Sequence, residues 1–151
     1  AGPLGEPGEL PSNIYLRQAP PTEGDCLTIA VVNGAELHLD HHGAAWWAAE
    51  RMLVVADMHL EKGSAFARRG RFLPPYDSAA TLARLTRLVA RHRPRGLVAL
   101  GDSFHDRHAG DRMEAGVLSA LAALAGGLEM IWIAGNHDPE IPAGLPGERL
   151  D

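Results

Sequence analysis

One cysteine, Cys26, is all the sequence holds, so it can form no internal disulfide and no thiolate cage around a metal. That scarcity excludes the disulfide-stapled secreted scaffolds and points to a reducing, cytoplasmic setting. Long apolar runs are missing too. None approaches the roughly 20 residues a membrane helix needs, so no membrane partner is expected. The opening residues Ala1-Gly2-Pro3-Leu4-Gly5-Glu6-Pro7 contain no basic stretch leading into an apolar one, so no secretory signal is expected there. Acids are nearly absent from one segment. Nine of the 14 basic residues, Lys62, Arg68, Arg69, Arg71, Arg84, Arg87, Arg91, Arg93 and Arg95, lie where Asp77 is the sole carboxylate. The net charge of −5 disfavours nucleic acid, but it is the local field that acts on a phosphate backbone. A solvated helix face is the other reading of the same segment.

What is present fits a globular protein. Hydrophobic residues make up 46% and charged residues 22%, and 151 residues are enough for one domain with a real core. Residues 1–25 are rich in Gly, Pro and Glu without periodicity and read as a flexible leader, leaving 26–151 as the domain. Strands are expected at 27–32 and 36–39, joined by the hairpin signal Asn33-Gly34. After a turn at Asp40-His41-His42-Gly43, a short strand is expected at 44–47. The run Met52-Leu53-Val54-Val55-Ala56 lacks alternation, as expected of a strand covered on both faces.

Two helices and two more such strands follow. The spacing of Leu82, Leu85, Leu88 and Val89 predicts a helix over 78–93, with Asp77 as N-cap, Arg84, Arg87 and Arg91 on the far side, and Pro94 and Gly96 closing it. Gly96-Leu97-Val98-Ala99-Leu100 predicts a buried strand. A helix over 111–125 places Met113, Val117, Leu121 and Leu124 together and stops at Gly126-Gly127. The run Met130-Ile131-Trp132-Ile133-Ala134 is the third buried strand. The order β-α-β-α-β implies a parallel α/β core.

Each buried strand ends on residues that ligate metals: Asp57-Met58-His59, Gly101-Asp102 and Gly135-Asn136-His137-Asp138. Sites in open α/β sheets form outside the carboxyl ends of the strands. Asp57 and His59, two apart in extended chain, would point the same way and grip one ion. Asp102 offers two oxygens and can bridge, and Asn136 adds a neutral oxygen. His137 should point differently, which suits an acid or a phosphate-contacting group, with Asp138 placed to orient its ring. Mixed oxygen and imidazole donors favour Mn, Fe, Zn or Ni over Ca. Each motif alone is common in ordinary loops; the weight lies in all three occurring in order, each after a buried strand. His38, His41, His42 and His92 receive no ligand role.

Together these motifs resemble the calcineurin-like metallophosphoesterase superfamily. The runs from Ala56 to Gly70, Leu73-Pro74-Pro75-Tyr76-Asp77 and Leu100 to Asp106 resemble, more narrowly, bacterial ligase-associated DNA-damage-response endonucleases. The resemblance covers about residues 27–145. It implies a β-sandwich flanked by helices and two divalent ions, manganese first, with iron, zinc or nickel also compatible. It implies Asp57 and His59 on the first ion, Asp102 between both, Asn136 on the second, and His137 at the leaving group, with Asp138 beside it in the motif. It further implies cleavage of DNA, single-stranded by preference, and an ATP-dependent ligase and a helicase encoded nearby. Arg68, Arg69, Arg71, Arg84 and Arg87 are then the strand-contact candidates. Small phosphomonoesters, cyclic nucleotides and a non-catalytic binding role are the alternatives. The family's later His and Gly-His-x-His have no counterpart in the 13 residues after Asp138. The chain is accordingly expected to be the N-terminal part of a longer protein, without the second half of the sandwich.

Overall fold

A computed structural model of the chain describes residues 11–18, 26–58, 60, 77–101, 103, 115–135 and 145–150. Among these residues eight strands form one sheet whose spatial order is the order of the sequence. They are β1 (Ile14–Gln18), β2 (Cys26–Val32), β3 (Ala35–Asp40), β4 (Ala44–Trp47), β5 (Met52–Ala56), β6 (Gly96–Leu100), β7 (Glu129–Ile133) and β8 (Glu148–Leu150). Among the described residues two helices, α1 (Asp77–His92) and α2 (Ala115–Ala125), follow β5 and β6 respectively. From β1 to β5 the pairing is antiparallel, and from β5 to β8 it is parallel. The α/β reading therefore holds, with a parallel half from β5 to β8 and an antiparallel half in which short turns join β2 through β5.

Local chemistry explains the boundaries. Asn33 and Gly34 both take positive φ, 49° and 83°, as a tight two-residue hairpin requires. Helix α1 buries Leu82, Leu85 and Leu88 and leaves Arg84 and Arg87 in solvent, the predicted amphipathic split. Arg93 takes the left-handed turn at its end (φ 47°), its N–H donating to the Val89 carbonyl at 2.9 Å, and Pro94 prevents continuation. Among the described residues no helix is long and apolar enough to cross a membrane.

The core lies between the sheet and the helices. Leu53 and Val55, Leu97 and Ala99, and Met130 and Trp132 point at the helices and are almost fully buried, together with Leu121 and Ala125 of α2. The alternate residues Val54, Val98 and Ile131 are only half-buried, and Leu100 is 45% exposed. So the expectation of coverage on both faces is met, among the described residues, on one face. All eight described strands belong to this sheet, and no second sheet of a sandwich lies among them.

Two strands were not foreseen. Residues 14–18 fall within the segment read as leader, yet they pair with β2 along their whole length, from Ile14↔Val32 to Gln18↔Thr28. Four of the five are exposed, so no burial pattern marks the strand; its order comes from its partner. Strand β8 is three exposed residues held parallel to β7. Met113 lies outside the described residues, and α2 is described from Ala115.

Candidate metal centre at the strand ends

The register brings the ends of the three strands that precede the motifs to one edge. Ala56 is paired with Leu100 and Leu100 with Ile133, so the chain leaves β5, β6 and β7 at the same level. Beyond that level the backbones stay together. Gly101 N–H donates to the Ile133 carbonyl at 2.9 Å, and Leu60 N–H donates to the Ser103 carbonyl at 2.9 Å. Gly101 has φ +55°, and a Cβ there would lie 3.1 Å from the Gly135 Cα. Glycine at 101 thus lets the turn before Asp102 pass against the turn before Asn136.

Of the predicted ligands and catalytic residues, Asp57 is described; His59, Asp102, Asn136, His137 and Asp138 lie outside the described residues. Asp57 is exposed and sits in the left-handed region with φ 51°. That corrects the extended-chain reasoning used for it. The strand stops at Ala56, so the two-residue alternation that would align position 57 with position 59 does not run through Asp57. A carboxylate residue tolerates this conformation at modest cost, and such strain concentrates at functional sites. Ser103, directly after Asp102, is 1% exposed, and its hydroxyl finds no hydrogen-bond partner among the described residues.

Asp57 lines a cavity of about 110 Å³ between the sheet edge and α1, with Met58, His42, Thr81 and Arg84. Arg84 and Arg87 are exposed and make no ion pair among the described residues. Arg91 and Arg95 are committed elsewhere: Arg91 lies 3.6 Å from Asp40, and Arg95 binds Glu129 at 2.6 Å. Among the described basic residues the structure thus leaves the two strand-contact candidates of α1 available. Arg68, Arg69 and Arg71 lie outside the described residues.

The structure also assembles a group to which the sequence reading gave no role. Strand β4 runs antiparallel to β5, with Ala44 opposite Val55, and Asp40 of β3 is opposite Ala44. The β3–β4 turn therefore reaches the same edge as Asp57. Asp40, whose side chain is 5% exposed, accepts hydrogen bonds on Oδ1 from the His42 backbone N–H and ring Nδ1, both at 2.9 Å. Its Oδ2 accepts from His92 Nε2 at 3.1 Å. Burial pushes the Asp40 carboxyl up, but the His42 amide, the two imidazoles and the Arg91 charge outweigh it and lower it to about 2. His92 in turn stacks on Trp46, ring centroids 5.1 Å apart. Donor atoms of Asp40, His41 and His42 all lie within 4.8 Å of one another. The signal was visible as Asp40-His41-His42, but a turn-like stretch gives no hint that α1 will deliver His92 to it.

Comparison with known proteins bears on the whole edge. The calcineurin-like phosphoesterase family profile matches residues 50–150. The crystal structure of Pseudomonas putida nuclease MPE superposes with a TM-score of 0.61 at 30% identity. That alignment covers 92% of this chain and 60% of the nuclease chain, so the present chain spans less than two thirds of that structure's length. Comparison with the curated proteins finds no match.

Proposed function

Because the chain belongs to the calcineurin-like phosphoesterase family, we propose that it serves a metal-dependent phosphodiesterase that cuts DNA. The observation that carries this reading is the alignment, at one edge and inside the matched segment, of the three strand ends that precede the candidate ligands. The similarity to a nuclease supports nucleic acid as the substrate class.

The donor chemistry fits a pair of divalent ions: carboxylate oxygens, imidazole nitrogen and an amide oxygen. The Ser103 hydroxyl, buried beside Asp102 without a described partner, marks that edge as polar beneath the surface. Asp57 and His59 would hold one ion, Asp102 both, and Asn136 the second, manganese being the first choice. Bound there, such ions supply an activated water and neutralise phosphoryl oxygens. His137 protonates the leaving oxygen, and Asp138 holds its ring. Arg84 and Arg87, with Arg68, Arg69 and Arg71, hold the flanking phosphates of a single strand. A cytoplasmic repair setting beside a ligase and a helicase completes the proposal and rests on the resemblance in sequence.

Full-length protein with Mn²⁺ is expected to hydrolyse a bis-aryl phosphate diester and to nick single-stranded DNA. Asp102→Ala should lower both by at least about a hundredfold, since even outer partners of ligands cost 10–100-fold. Faster turnover of phosphomonoesters than of diesters would replace DNA by a small substrate. No hydrolysis with any divalent metal would leave the binding-module reading.

A further inference from the structure

Beyond the strand-end ligands, the β3–β4 turn carries its own donor set. We propose that Asp40, His41 and His42 form a second, separate metal site that takes Zn²⁺, Ni²⁺ or Cu²⁺ in preference to Mn²⁺, Mg²⁺ or Ca²⁺. This does not depend on the proposed activity.

The geometry is close to that of a bound ion. His42 Nδ1 lies 2.9 Å and His41 Nδ1 3.9 Å from Asp40 Oδ1, and the two rings are 4.0 Å apart. Two donors on one tetrahedral zinc ion stand about 3.4 Å apart, from bonds of about 2.1 Å. The donor atoms here all lie within 4.8 Å of one another, so a turn of the half-exposed His41 ring toward Asp40 closes the set. The rest of the framework is already fixed. The His42 backbone N–H on Oδ1 ties the turn to the carboxylate, and His92 on Oδ2 sets the carboxylate plane. On binding, the His42 ring gives its Nδ1 lone pair to the ion, its proton moves to Nε2 through solvent, and the bond to Asp40 becomes shared ligation.

Selectivity follows from charge and donor type. Arg91, 3.6 Å from Oδ2, offsets the one carboxylate charge. Hard cations bound chiefly by charge gain little at such a site. Ions that bond well to imidazole keep their advantage from two nitrogens. His42 also lines the Asp57 cavity, so the ion would sit beside the candidate catalytic edge without using its ligands.

The test uses tag-free, full-length protein carrying Asp57→Ala and Asp102→Ala, titrated calorimetrically with Zn²⁺ and with Mn²⁺. One Zn²⁺ per chain is expected, with far weaker Mn²⁺ binding. His41→Ala and His42→Ala should each weaken Zn²⁺ by at least about tenfold. His41, exposed at the tip of the turn, is the decisive change because its loss leaves the Asp40 bonds to His42 and His92 in place. Electron paramagnetic resonance of bound Cu²⁺ should report two nitrogens, falling to one in His41→Ala. Equal Zn²⁺ affinity with and without His41, or no Zn²⁺ binding in the parent, overturns the proposal.

Discussion

Asp40→Asn removes a charge that four groups share, and its cost can be worked from the surroundings. The carboxylate is held at about 2 rather than 3.8, so the folded protein favours its ionised form. That difference is worth roughly 2 kcal/mol of folding stability. A folded value below the unfolded one means the contribution is full above about pH 4 and disappears as pH falls through about 2. Asparagine can still accept the His42 N–H but presents an amide N–H₂ group to a neighbouring donor, so it recovers little. Chemical denaturation followed by circular dichroism, with chelator present, should show the variant about 2 kcal/mol less stable at neutral pH, about 5 °C in melting temperature. Below pH 4 the gap should narrow as the parent loses its advantage. A gap that is absent at pH 7, or unchanged down to pH 2.5, refutes the clamp.

Other positions give sharper structural tests. Gly147 has φ +113°, and an added Cβ would fall 2.5 Å from the Met130 Cβ and carbonyl oxygen. Gly147→Ala should therefore destabilise by about 3 kcal/mol or more, from strain and overpacking together, in a denaturant titration. Trp132 is 1% exposed and donates Nε1–H to the Pro146 carbonyl at 2.8 Å. Trp132→Phe should cost about 2 kcal/mol and loosen the segment before β8, read by hydrogen exchange. Replacing Arg84 and Arg87 together by alanine should make the salt dependence of single-stranded DNA binding shallower by about 1.4 in the log–log slope. An unchanged slope removes α1 from the DNA-contact surface.

Patterns carried within one segment were legible from the residues alone. The apolar runs of β5, β6 and β7 and the Leu82, Leu85, Leu88 face of α1 announced themselves because burial selects their side chains directly. Strands β1 and β8 did not, since their residues are exposed and a neighbouring strand supplies their order. The gathering of strand ends followed from parallel topology, which the β-α-β order implies. The Asp40 clamp did not, because Asp40 and His92 are 52 residues apart and meet only when the β3–β4 register and the end of α1 coincide. The turn at Asp57 was missed for a different reason: alternation describes a strand, and the residue that leaves the strand obeys other sterics.

The order of the sheet has a consequence for how the chain is built. Because spatial order equals chain order among the described strands, each of these joins an existing edge and none of them is threaded between two already paired. The four antiparallel pairings close short loops, so they carry little loop entropy and can form early. The parallel strands then add outward from β5, each after its helix where one intervenes. Growth of this kind suits a chain emerging from its N-terminal side, with the edge that receives the next strand always the one most recently made.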